Sequence, residues 1–241
     1  MDSMCGRFVL DRKTSDLVAL FDIDVEGAIL PGPSWNIAPT QNVRVVIDAV
    51  PKGTEASEPV RRLESARWGL VPSFAKDLSG PPLFNARSET VTQKPAFQSA
   101  VGTRRAVVPA SGYYEWHEVD GVKTPQYISL PDEELFLFAA LYEWWRNPAA
   151  QSAAELWLLS TTILTRPSTG PLSEIHERMP VFLDAELASE WLDPHADGSI
   201  ELVELVADAA EDIADQAQFH AVGSEVGTVQ NDTPSLIRAA V

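Results

Sequence analysis

A single cysteine, Cys5, occurs in 241 residues. That scarcity excludes an internal disulfide and any zinc site built on several thiolates, and with only four histidines no metal or other cofactor is expected. No stretch approaches the roughly 20 apolar residues that span a bilayer. No basic region followed by an apolar one opens the chain, so a cytoplasmic protein without a membrane partner is expected. Cations are few as well: 18 Lys and Arg stand against 35 Asp and Glu, a net charge of −17. The shortage is uneven. Residues 179–241 carry one basic residue, Arg238, against 13 acidic ones, while residues 1–178 carry 17 against 22. The acidity is mainly a property of the C-terminal quarter, which leaves room for a local basic cleft elsewhere.

What is present is an ordinary globular composition, 45% hydrophobic, at a length that suits one domain. Residues Thr14 to Phe21 read as a short helix with Thr14 or Ser15 as N-cap. Strands are expected over Val43–Ile47, up to Pro109, from Tyr113, over Pro125–Leu130, Leu135–Tyr142 and Glu155–Thr162, with a hairpin turn at Gly121 and an exposed loop between Val50 and Pro59. Asp184 should open a helix with Leu187, Trp191 and Leu192 on its apolar stripe. A second helix, Glu201–Ala210, should bury Leu202, Leu205 and Val206. A last strand is read at Phe219–Val222, with Val226–Val229 after Gly223. Strands dominate the middle and helices the two ends, which predicts an α+β single domain with a twisted antiparallel, barrel-like core and peripheral helices.

Several stretches carry chemistry. If the bond before Cys5 in Met4-Cys5-Gly6-Arg7-Phe8 were cut, the new terminus would be a 1,2-aminothiol. Its amine has an ordinary pKa of about 7.7 to 8.0 and its thiol about 8.5, so both keep a nucleophilic fraction near neutral pH. An aldehyde could be taken first by the amine as a Schiff base and then by sulfur, closing a thiazolidine. The plainer alternative is a small buried hydrophobe beside Phe8, Val9 and Leu10. Arg67, Trp68, Phe74 and Lys76 interleave cations with aromatics, a pattern that suits single-stranded nucleic acid, although a Trp next to Gly is more often core. Glu115, between Tyr114 and Trp116, is either partly desolvated and fit for proton transfer or turned outward to solvent. His176 ends a long polar loop, with Arg178 two residues on and on the same face if the segment is extended.

In order, Cys-Gly-Arg-Phe at 5–8, Trp-Asn-Ile-Ala-Pro-Thr-Gln at 35–41, Arg-Trp-Gly-Leu-Val-Pro at 67–72, Asn-Ala-Arg-Ser-Glu-Thr at 85–90, Val-Pro-Ala-Ser-Gly-Tyr-Tyr-Glu-Trp at 108–116 and Ile-His-Glu-Arg-Met-Pro at 175–180 together resemble the SOS response-associated peptidase (SRAP) family. The resemblance runs from Cys5 to about Val229. It implies an abasic-site processing protein whose N-terminal cysteine links covalently, as a thiazolidine, to abasic sites in single-stranded DNA and shields them. It implies Cys5 as nucleophile, Glu115 in proton transfer, His176 beside the sugar, and Asn85 holding the opened sugar or orienting the cysteine. Arg7, Arg87 and Arg178 would hold phosphates, and Trp68 with Phe74 would stack on bases. The fold it implies is the SRAP barrel over residues 1–241, with 179–241 as the acidic portion of the same domain.

One feature departs from the family pattern, which begins with Met-Cys: here Met1-Asp2-Ser3 precede that pair. Either translation starts at Met4 or residues 1–4 are removed, and autoproteolysis with Cys5 as nucleophile would do the latter. A monomer is expected, found at the nucleoid through DNA, with replication-associated proteins as further candidate partners. Two other classes fit parts of the pattern. A cysteine peptidase acting on other proteins would use Cys5, His176 and Asn85. A reader of damaged single-stranded DNA without catalysis would use Arg67, Trp68 and Arg87.

Overall fold

The computed structural model describes residues 6–51 and 58–240; Cys5 and the tip of the 50–59 loop lie outside the described residues. In chain order the strands are β1 (Phe8–Leu10), β2 (Val25–Glu26), β3 (Ser34–Ile37), β4 (Asn42–Ala49), β5 (Val60–Trp68), β6 (Asn85–Arg87), β7 (Arg105–Ala110), β8 (Gly112–Val119), β9 (Val122–Ser129), β10 (Phe136–Arg146), β11 (Trp157–Pro167), β12 (Arg178–Pro180), β13 (Phe182–Leu183) and β14 (Gln218–Ala221). The helices are α1 (Thr14–Phe21), α2 (Gln98–Thr103), α3 (Ala185–Leu192) and α4 (Ile200–Ala214).

Five strands close on themselves. β4 pairs antiparallel with β5 and β7, β7 with β10, and β10 with β11. A short parallel contact, Ser160 opposite Arg67 and Thr161 opposite Trp68, joins β11 back to β5 and completes the ring. β7 and β10 read as near-continuous apolar runs because both faces are covered, whereas β5, with Arg61, Arg62, Glu64 and Arg67, keeps one face partly exposed. β10 shows it best: Phe136, Phe138, Ala139, Ala140 and Leu141 are all buried. A second antiparallel sheet, in the order β14-β9-β8-β1-β3, carries the N-terminal motif and Glu115. Its β8–β9 hairpin turns at Asp120-Gly121, both at positive φ, the two-residue geometry that favours Asp-Gly.

The expected bounds of α1 hold, but its N-cap is Lys13, whose N–H is accepted by the Asp16 carboxylate at 3.2 Å. Asp184 caps α3, accepting from the Leu187 N–H at 2.8 Å. In α4 the buried face is Leu202, Val203, Val206, Ala207, Ala210 and Ala214. Leu205, expected inside, is 48% exposed, because the buried stripe runs through 203 and 206 and turns 205 away. The Val226 strand is instead a 3-10 turn over Ser224–Gly227. The acidic quarter is no appendage: Trp191 is fully buried and its Nε1 donates to the carbonyls of Ala106 and Ala140 in the barrel wall. Among the described residues no helix is long and apolar enough to cross a membrane.

Candidate active site

β1 lies antiparallel to β8, with Phe8 opposite Tyr113 and Val9 opposite Gly112. The Tyr114 N–H donates to the Arg7 carbonyl at 2.9 Å. Arg7 and Phe8 therefore lie alongside the strand that carries Glu115. Gly112 fits the close approach of the strands: a Cβ there would meet the Tyr127 ring and the Ile128 carbonyl oxygen at about 2.5 Å. Tyr127 in turn donates from its hydroxyl to the Ser111 carbonyl and packs on Tyr114 at 5.4 Å between ring centroids, and burial pushes both phenols up. The strand carrying Glu115 is thus braced on both sides. Glu115 itself is 2% exposed, which settles the choice between an inward and an outward carboxyl.

A cleft of about 480 Å³ opens over this strand. Glu115, Trp116, His117, Glu118 and Lys123 of the β8–β9 hairpin form one wall, and Ser173–Glu177 of the polar loop forms the other. Glu115 and His176, distant in sequence, share it. The Nδ1 of His176 lies 3.1 Å from both the N–H and the carbonyl oxygen of Arg178. A neutral ring can accept from that N–H, which places its proton on Nε2, and an imidazolium can donate to the carbonyl. The backbone of Arg178 thus orients the ring in either protonation state.

Arg178 was expected to hold phosphate. It is instead buried, its guanidinium paired with both carboxylate oxygens of Glu89 and donating to the Thr165 carbonyl at 2.7 Å. The pairing holds the Glu89 carboxyl down at about 2. Bidentate pairing fixes the guanidinium plane, so the side chain anchors the loop whose backbone orients His176. Arg7 is committed likewise. Its Nη1 donates to the Asn36 side chain at 2.8 Å and the Val226 carbonyl at 2.7 Å, and its Nη2 donates to the Gly227 carbonyl. It ties the first strand to the 224–227 turn, and most of its Nη donors are spent before any phosphate arrives.

Trp68, expected to stack on a base, is fully buried and has no ring face to offer. It stands edge-on to Phe8 at 5.0 Å and to Phe84 at 5.9 Å, and its Nε1 donates to the Phe84 carbonyl at 2.9 Å. The indole couples β1 to the entry of β6, where Asn85 sits partly buried alongside Ile163 of β11. Phe74, on the turn beyond β5, is 67% exposed. Arg87, at the end of β6, is exposed with no ion pair among the described residues. Of the residues named for DNA contact, Phe74, Lys76 and Arg87 are open to solvent, and Arg67 is partly so.

Two residues were missed. His117 lines the cleft with Glu115, and the strand period of two could have found it. Glu89 could not be found that way, since its partner Arg178 is 89 positions away. Among the described residues no group of three or more His, Cys, Asp or Glu side chains is placed to hold a metal.

The chain is 36% identical over 242 residues to the "Abasic site processing protein YoqW" of Bacillus subtilis (strain 168), covering 98% of this chain and 100% of that protein. It is 32% identical over 229 residues to the "Abasic site processing protein HMCES" of Gallus gallus, covering 85% of this chain and 66% of that protein. A crystal structure of a protein from Bacteroides thetaiotaomicron superposes with a TM-score of 0.77 at 19% identity, over 98% of this chain and 100% of that one, and shares the fold. The family model described as SOS response associated peptidase (SRAP) matches residues 4–229. With the model spanning nearly the whole length and a relative at this identity matched end to end, the chain belongs to the SRAP family.

Proposed function

We propose that this protein processes abasic sites in single-stranded DNA by linking to them covalently through Cys5, once residues 1–4 are gone. The observation that carries the reading is that the buried Glu115 and the oriented His176 share one cleft, and that the strand bearing Glu115 pairs with the strand that follows Cys5 in the chain. The names of the relatives, both abasic site processing proteins, support the substrate.

An abasic sugar in its open form presents an aldehyde. The α-amine of Cys5 adds to it, and loss of one water gives the Schiff base. The thiol then adds across the C=N bond, forming C–S while the nitrogen takes up a proton, and the five-membered ring closes. The net change is the loss of one water. An acid must protonate the departing hydroxyl, and a base must take the thiol proton. Glu115 carries out both in turn, since a carboxyl held away from solvent on a rigid strand can pass one proton back and forth. His176 assists at the sugar, where ring opening needs a proton moved between oxygens. Asn85 holds the opened sugar, Arg87 a flanking phosphate, and Phe74 an adjacent base. Removal of residues 1–4 would use the same acid–base group: the Cys5 thiol attacks the Met4 carbonyl, the C–N bond breaks as the amine takes a proton, and water hydrolyses the resulting thioester to release the segment and restore the thiol.

The orientation of His176 disfavours the peptidase alternative. In a nucleophile–His–Asn arrangement the amide side chain orients the imidazole, but here the Arg178 backbone does so. The test is a denaturing gel of residues 5–241 with an oligonucleotide carrying one abasic site. A retarded band is expected for the wild type and none for Cys5→Ala or for protein whose α-amine has been acetylated. An undiminished band from the acetylated protein would overturn the aminothiol route.

A further inference from the structure

Among the described residues four arginines are buried, Arg44, Arg105, Arg166 and Arg178, and Arg44 is the one whose guanidinium meets neither a carboxylate nor several carbonyls. Arg166 pairs with Glu211 and Arg178 with Glu89, and the partly exposed Arg61 and Arg104 pair likewise with Asp48 and Glu143. Arg105, 2% exposed, has no carboxylate partner, but its guanidinium donates to five backbone carbonyls, those of Val101, Gly102, Trp191, Asp193 and Ala196. Arg44 on β4 is equally buried, at 2% exposure. It makes one long hydrogen bond, from Nη2 to the Leu10 carbonyl at 3.3 Å, and its Nη1 is buried without a partner among the described residues. No carboxylate among them lies within ion-pair distance of it, and burial lowers its pKa with nothing to offset the effect. A buried cation left in this state destabilises the fold unless an anion joins it.

Arg44 lines a cleft of about 570 Å³ that shares no residue with the Glu115–His176 cleft. The cleft lies between the Pro31–Ser34 segment and the start of β4. Thr40 and Asn42 also line it, and neither side chain has a hydrogen bond to the rest of the described protein. Both can donate to an oxygen. The one carboxylate in the lining, Asp232, is already engaged, its Oδ1 accepting the Trp35 N–H at 2.5 Å.

We propose that this cleft is a binding site for a small oxyanion of the phosphate or carboxylate class, with Arg44 supplying the charge and Thr40 and Asn42 completing the donor set. A guanidinium presents paired donors that match the oxygens of such groups. The anion can be a free metabolite group or a phosphate of the DNA backbone, and the two sources are separable.

The test is the melting temperature of the full chain in inorganic phosphate, acetate and chloride at matched ionic strength. Phosphate or acetate should raise the wild-type melting temperature by roughly 5 °C or more at about a hundred times Kd. Arg44→Met should show no such rise, should melt no lower than wild type in chloride because an uncompensated charge is gone, and should lose about 10- to 100-fold in phosphate affinity by calorimetry. If Arg44→Met fails to fold, Asn42→Asp at the exposed mouth should fold and weaken phosphate binding about tenfold. Equal wild-type melting in all three salts, or a rise that survives Arg44→Met, would overturn the site. Displacement of a labelled single-stranded oligonucleotide by phosphate in wild type but not in Arg44→Met identifies a backbone phosphate as the source; binding without displacement identifies a free anion. Failure here would leave the proposal for the Glu115–His176 cleft untouched, since no residue is shared.

Discussion

Trp68 and Phe74 lie within one short stretch of chain, yet the first is wholly buried and the second 67% exposed. Arg178 and Arg87 repeat the contrast among the cations, one locked to Glu89 and the other open to solvent. The inner members of each pair hold the frame: Trp68 couples β1 to β6, and Arg178 anchors the loop of His176. The outer members are free to meet a ligand. Residues of one chemical type thus divide into frame and contact according to where the barrel closes. A substitution in the frame should therefore change stability first, and one in the contact layer should change DNA binding alone.

The largest effect should come from Glu115, where both roles meet. Glu115→Gln should slow crosslinking by about 10²- to 10⁴-fold, measured as the single-turnover rate on an abasic oligonucleotide, if proton transfer is its task. A wild-type rate would remove Glu115 from the chemistry. Next, Trp68→Ala should cost about 3 to 5 kcal/mol of stability in denaturant melts, as for a large core aromatic, whereas Phe74→Ala should leave stability unchanged. If Phe74→Ala lowers stability as much as Trp68→Ala, the division into frame and contact fails.

On the DNA side, Phe74→Ala should weaken single-stranded binding by about 1 to 3 kcal/mol with little change in salt dependence. Arg87→Ala should weaken it nearly uniformly across sequences and reduce the slope of log K against log salt by about 1. Arg178→Ala should leave that slope unchanged and act on stability instead.

The smallest effect concerns pH. The Glu89 carboxyl is held at about 2 by Arg178, below its ordinary value of 4.5. A depressed carboxyl stabilises the fold above its unfolded pKa and loses that contribution as pH falls toward its folded value. The contribution is on the order of 1 kcal/mol once screening is allowed for, since the side chain is 45% exposed. Comparing thermal melts of wild type and Glu89→Gln, the gap present at pH 7 should close between about pH 4.5 and 2. A gap that widens on acidification would contradict the pairing.

Local features were open to reading from the sequence, and distant pairings were not. The α1 bounds, the Asp184 cap and the Asp120-Gly121 turn are set by neighbours in the chain, and each matches its local signal. Glu115 and His176 were singled out by type and context. The cations were misjudged because their partners are remote: Val226 lies 219 positions from Arg7, and Glu89 lies 89 from Arg178. For Trp68 the core reading suggested by the adjacent Gly69 holds, and the stacking role that the resemblance implied does not. The contact that buries it is the parallel pairing of β5 with β11, between segments more than 90 residues apart. Leu205 shows the same limit at short range, where which edge of an amphipathic stripe meets the barrel depends on packing.

The most direct measurement is the intact mass of protein beginning at Cys5, before and after incubation with a single-stranded oligonucleotide bearing one abasic site. The wild type should gain the oligonucleotide mass less one water, and Cys5→Ala should gain nothing. A wild-type protein with its terminus at Cys5 and no mass gain would contradict the covalent role.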